Sequence, residues 1–152
     1  MHTSVAAIIY FKEKYLLQRR DKNKNIFFPG FWGLFGGKSE SGESLKFSIL
    51  RELKEETNLE FNKVENLIFM KFNFKRKSSN SIRKRVYFIC NMPSNFKKKI
   101  VLNEGSDAKF FSFNKIDSKS VVPWDYAAIS YHNVLRIKKK KIFPNQNKFY
   151  KG

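Results

Sequence analysis

The sequence predicts an α/β (α+β) fold, a mixed β-sheet sandwiched between helices, and three observations carry that expectation. Short runs rich in Val, Ile, Phe and Tyr are separated by polar breaks, which is the pattern of strands and turns. Two longer stretches, 44–57 and the region that begins near 124, read instead as helices, and the first carries apolar residues every four positions. Elements of this size and order suit a sandwich around one core. At 152 residues, 41% hydrophobic and 16% aromatic, the chain is large and apolar enough for a single folded domain.

Each element follows from local chemistry. Residues 5–11 (VAAIIYF) are β-rich, Lys12, Glu13 and Lys14 make a short polar turn, and residues 15–18 resume an apolar strand, so a hairpin is expected. A charged loop at 21–25 leads into IFFPGFWGLFGG, where Pro29-Gly30 and Gly36-Gly37 are turn signals around a short aromatic strand. In the helix at 44–57, Ser44 is the expected N-cap and Leu45, Ile49 and Leu53 form an apolar stripe. Asn58 stands at its end, where tolerance of the left-handed conformation is wanted. Residues 62–74 and 85–92 read as strands joined by the basic loop KRKSSNSIRKR, and 108–113 as another strand. A second helix runs from about 124 to 137. The domain is therefore placed at 1–137, with 138–152 as a loose basic tail.

Composition excludes several classes. No apolar run approaches the roughly 20 residues that span a bilayer. The start, MHTSVAAIIYF, has no basic leader, so no signal peptide is expected. Cys90 is alone in an apolar run and reads as a buried structural thiol in a reducing cytoplasm. With 31 basic and 13 acidic residues the net charge is +18, a field that favours anionic partners such as nucleotides, although a Lys-, Asn- and Ile-rich composition accounts for part of it.

Against that charge, the placing of Glu43, Glu52, Glu55 and Glu56 in one short stretch calls for a compensating cation. On a helix advancing about 100° per residue, Glu52, Glu55 and Glu56 fall within an arc of roughly 100°. Carboxylates so grouped suit Mg²⁺ or Mn²⁺, which bind few protein oxygens and complete their shell with phosphate. A solvated acidic face paired with Arg51 or Lys54 is the plainer alternative.

From Gly37 to Leu59 the chain reads Gly, five residues, Glu, seven residues, Arg-Glu-Leu, one residue, Glu-Glu, one residue, Asn, Leu. This stretch resembles the signature of the Nudix hydrolase superfamily, with looser MutT-like similarity from the first strand to about residue 135. The departure is Asn58 in place of the last glycine. The resemblance implies a Nudix-type α/β/α sandwich with a catalytic loop–helix–loop at 37–59. It implies that the Gly37 carbonyl, Glu52, Glu55 and Glu56 hold Mg²⁺ or Mn²⁺, and that Arg51 fixes a catalytic glutamate through Glu43 or Glu52. Glu55, Glu56 or Glu104, the last in a Glu-Gly loop, would serve as base. Lys38 and one of Arg19 and Arg20 would meet phosphate, and Trp124 and Asp125 would stack on a purine and read its edge, against plain roles as core ring and helix N-cap. The implied activity is a cytoplasmic pyrophosphohydrolase, monomeric or homodimeric, acting on a nucleoside diphosphate linked to a further group. A nucleoside triphosphate, including oxidised purine nucleotides, is the first substrate expected. A GDP-sugar type substrate is the alternative, since RRDKNKNIFFPGFW resembles the loop of such relatives. Processing of RNA 5′ ends ranks below both, because the basic runs lack interleaved aromatics.

Overall fold

The computed structural model describes residues 1–23, 25–75, 80–92, 105 and 107–142. Strand β1 (His2–Phe11) runs through a six-stranded sheet. It turns at Lys12 and Glu13, both at positive φ (45° and 64°), into antiparallel β2 (Lys14–Arg19). Two-residue hairpins require that geometry so that the strands keep their right-handed twist. Beyond the short β3 (Trp32–Gly33), which pairs with β2, the chain continues alongside β1. There Val5 N donates to Gly37 O and Ala7 N to Phe35 O, each at 2.8 Å.

On its other side β1 pairs in parallel with β5 (Asn80–Asn91), which forms a long antiparallel ribbon with β4 (Glu65–Lys75). Strand β6 (Asp107–Ser112) pairs antiparallel with β2. The sheet is therefore mixed, as expected. Its two faces follow the period of two along β1. Val5, Ala7 and Ile9 pack with Ile49 and Leu53 of α1 (Leu45–Thr57), while Ala6 and Ile8 pack with Ala128 and Ile129 of α2 (Pro123–Ile142). Helices cover both faces, and truncating a fully buried residue such as Leu53 to Ala would cost about 2–5 kcal/mol.

Local capping holds α1 in register. Ser44 Oγ accepts from Phe47 N at 3.1 Å. Asn58 takes the left-handed conformation (φ 57°, ψ 20°) and its N–H donates to Lys54 O. Cys90 is fully buried, and burial pushes its thiol up to about 12, so it is inert.

Two boundaries differ from expectation. The basic segment after β4 is half strand, because β5 begins at Asn80 and pairs with β4 along its length. Helix α2 does not stop at 137 but runs to Ile142, so the expected domain limit falls inside it. Lysines are good helix formers and sit well against the negative end of the helix dipole, which explains the extension. Among the described residues no helix is long and apolar enough to cross a membrane. Lys97, Lys98, Lys99, Glu104 and residues 143–152 lie outside the described residues.

Candidate active site

Arg51 organises the carboxylates of α1. Its Nε and Nη2 donate to the two oxygens of Glu43 at 2.7 and 3.0 Å, a bidentate fork. Its Nη1 reaches Glu52 and Glu55, each at 3.1 Å, and Nη2 also donates to Lys38 O at 3.2 Å. One planar cation thus ties the loop before the helix to two turns of the helix, which the guanidinium geometry allows and an ammonium would not. The Arg51 hydrogen bonds, with Glu40 N and Ser48 Oγ, hold the Glu43 carboxyl down at about 2. The guanidinium is itself pushed up, chiefly by its hydrogen bonds with Glu43.

The turn at Gly36-Gly37 brings backbone against these carboxylates. Gly36 sits at φ 143° with the Val5 carbonyl where a Cβ would lie, so no other residue fits. Its N–H donates to Glu56 Oε2 at 2.9 Å, and Glu56 is only 5% exposed. At Gly37 a Cβ would land on the Glu52 carboxylate. Glu52 and Glu56 therefore converge on the two glycines, while Glu55 stays largely exposed on Arg51. Among the described residues no three acidic, His or Cys side chains are already gathered on one point. The buried Glu56 and half-buried Glu52 carboxylates against a side-chain-free turn, with the Gly37 carbonyl alongside, nonetheless form a hard-oxygen donor set that fits a divalent ion.

A cleft of about 440 Å³ opens from this turn. Glu56, Gly36, Gly37 and Lys38 line one end, and Arg20 lines it between β2 and the following loop. Burial and the charge of Arg85 lower the Arg20 guanidinium, with Glu56 among the anions that oppose the shift. Arg19 is on the other side of the alternation, exposed, donating to Gly30 O at 3.3 Å and absent from the cleft wall. Gly105 lines the cleft beside Gln18, next in sequence to Glu104.

The far end is aromatic and cationic. Trp124, at the start of α2, packs with Phe72 at 4.9 Å and with Phe27 and Phe74 at 6.2 and 6.3 Å between ring centroids. Arg83 and Arg85 project from the same face of β5, since they are two residues apart. Asp125 is the third residue of α2 and does not cap it. It is 1% exposed, and four donors fill its oxygens: Leu34 N, Tyr87 Oη, and Nε and Nη2 of Arg85, at 3.0, 3.0, 3.0 and 3.3 Å. Burial pulls Arg85 down, but the charges and hydrogen bonds of Asp125 and Tyr87 together outweigh it and hold it up; burial, then Asp125, pushes the Tyr87 phenol up.

Sequence reasoning missed Phe72, Phe74, Arg83 and Arg85. The signal was present: Arg83, Arg85 and the apolar Tyr87 recur at a period of two, which places the arginines on the face that Tyr87 buries.

A sheet with one helix on each face, and an arginine-held row of glutamates at a diglycine turn, define a phosphate-chemistry scaffold. The chain belongs to the NUDIX family, whose domain model matches residues 1–131. Solved structures agree with that fold. The E. coli ORF135 protein is 25% identical, with a TM-score of 0.73 over 93% of this chain and 94% of that one. A dihydroneopterin triphosphate pyrophosphohydrolase from E. coli is 18% identical, with a TM-score of 0.71 over 88% and 95%. Among curated proteins, the m7GpppN-mRNA hydrolase NUDT17 of Xenopus laevis is 50% identical over 52 residues, which span 34% of this chain but only 17% of that relative. Members of that family are hydrolases of pyrophosphate bonds and generally use a divalent metal.

Proposed function

We propose that this chain hydrolyses nucleoside triphosphates to the nucleoside monophosphate and pyrophosphate, with Mg²⁺ or Mn²⁺. The observation that carries this reading is the single cleft that joins the Glu52–Glu56 turn to an aromatic, cationic far end. Glu52, Glu56 and the Gly37 carbonyl would hold the ion, which supplies charge neutralisation at phosphate and polarises the attacking water. Arg51 keeps Glu52 and Glu55 oriented. Lys38 and Arg20, on the cleft wall, bind phosphate oxygens and align them with the water. Glu55 or Glu56 accepts the proton of that water, with Glu104 of the Glu-Gly loop as the remaining candidate. Trp124 and Phe72 offer the base a stacking surface.

A cap or RNA-end substrate is suggested by the Xenopus relative and the net charge of +18. A positively charged cap base fits less well, because Arg83 already occupies the faces of Phe27 and Phe74 as their cation. Product analysis with nucleoside triphosphates, nucleotide sugars, dinucleoside polyphosphates, 5′-triphosphorylated RNA and capped RNA separates these readings. The expected outcome is metal-dependent pyrophosphate release from nucleoside triphosphates, abolished by chelation. Glu56→Gln should lower kcat by several orders of magnitude with the thermal transition intact. Preference for nucleotide sugars or capped RNA would overturn the proposal.

A further inference from the structure

Resting on the nucleotide reading above, we propose that Arg83 sets base specificity and selects a 6-oxopurine over a 6-aminopurine. The Arg83 guanidinium carbon lies 4.9 Å from the centroid of the Phe27 ring and 5.7 Å from that of Phe74. Its Nε is buried and has no hydrogen-bond partner among the described residues. A buried N–H without an acceptor is costly, and the buried carboxylate at this end of the cleft is committed elsewhere. Asp125 already accepts from four donors, three of them on Arg85 and Tyr87. Arg83 lines the cleft, so an acceptor on what enters it can meet the guanidinium.

The position of Arg83 says which part of a ligand that is. Arg20 feels the charges of Arg85 and Asp125 as well as that of Glu56, which puts it between the carboxylate turn and the aromatic end. The contacts of Arg83 are instead two aromatic rings, in the region where a heterocycle would stack. A guanidinium fork matches the paired O6 and N7 acceptors of guanine, whereas adenine offers one acceptor and turns an amino donor toward the cation. Arg85, neutralised by Asp125 on the same strand face, adds no acceptor. The polar groups at this end thus favour a carbonyl edge.

Equilibrium binding of GMP, IMP and AMP to the full chain, in Mg²⁺ buffer by calorimetry, tests this without turnover, since monophosphates are products. GMP and IMP should bind about tenfold or more tightly than AMP, the scale of one good base-edge pair. Arg83→Met should abolish that preference by weakening GMP and IMP while leaving AMP and inorganic pyrophosphate unchanged. Arg83→Lys, which keeps charge and stem but not the fork, should lose most of the preference too, and it serves if the methionine variant fails to melt cooperatively. Equal affinity of the native chain for GMP and AMP would overturn the assignment, as would a loss in the variants shared equally by all three nucleotides or by pyrophosphate. If no monophosphate binds the folded native chain, the nucleotide reading falls and this inference with it; equal binding of all three sinks only the inference.

Discussion

The two ends of the cleft are each built around one arginine and its carboxylates, yet by opposite means. At the end proposed to hold the metal, Arg51 and its partners Glu43, Glu52 and Glu55 come from one continuous stretch and stay partly open to solvent, with the Arg51 side chain 18% exposed. At the end proposed to hold the base, Arg85 and Asp125 come from a strand and a helix 40 residues apart, and the aspartate side chain is 2% exposed. An open cluster can move its carboxylates as ions bind and leave, and screening keeps its contribution to stability small. A buried pair is rigid, and removing one partner strands a charge. The metal end is therefore expected to govern rate, and the base end to govern stability and shape.

The sharpest way to break this contrast is Asp125→Ala. It leaves Arg85 buried without its anion and frees Leu34 N and Tyr87 Oη, so it should destabilise the fold by about 3–5 kcal/mol in denaturant unfolding. A loss near 1 kcal/mol, the usual value of a helix cap, would instead put Asp125 back among exposed polar groups.

Acid separates the ends as well. With its carboxyl held at about 2, Glu43 keeps its bond to Arg51 through mild acid. Sensitivity above pH 4 should come instead from His132, which packs between Tyr10 and Tyr15 and shares a 2.8 Å hydrogen bond with Tyr15. Burial, then the charges of Arg136 and Lys139, lower its imidazole from 6.5 to about 4. Between those values the unfolded chain binds the extra proton and the folded one does not, so stability falls as pH drops from about 6.5 to 4 and is level above. The interval corresponds to roughly 3 kcal/mol. Unfolding of the native chain and of His132→Gln across pH 4–7 checks it, and the variant should show a flatter curve.

Arg51→Lys tests the open end. A lysine keeps the charge but cannot span Glu43, Glu52 and Glu55 together. Residues that orient metal ligands typically account for about 10- to 100-fold in activity or metal affinity, and a loss of that size in kcat/KM is expected, with little change in melting temperature. A variant that melts far lower while its kcat holds would reverse the contrast between the ends.

What could be read from the sequence follows the same divide. The glutamates, Arg51, Ser44 and Asn58 were legible because helix periodicity, caps and the 37–59 spacing act over neighbouring residues. The base end was legible only at Trp124 and Asp125, and there the competing roles of N-cap and base reader both missed the contact with Arg85. Such contacts depend on the register of β5 against β4 and on where α2 docks, which no local pattern encodes. Arg83 and Arg85 lay in a run of cations that reads as a solvated loop, and the pairing of Phe72 with Arg83 across the ribbon is what gathers them. Of the adjacent Arg19 and Arg20, strand alternation turns only one toward the cleft.

The smallest effect concerns the one departure of the metal end from its motif. Asn58 ends α1 at φ 57°, a region that L-residues enter at some cost and Gly enters freely. It closes the helix through its backbone N–H on Lys54 O, a bond that any residue except proline can make. Asn58→Gly should therefore preserve the cap and relieve the left-handed conformation, while the added freedom of the unfolded glycine chain offsets part of the gain. A rise in stability of a few tenths of a kcal/mol up to about 1 is expected in denaturant titration. Rate should not change, because the residue contributes no group to the Gly36-Gly37 turn where Glu52 and Glu56 meet. A tenfold gain in kcat would show that the cap of this helix sets the position of the glutamates.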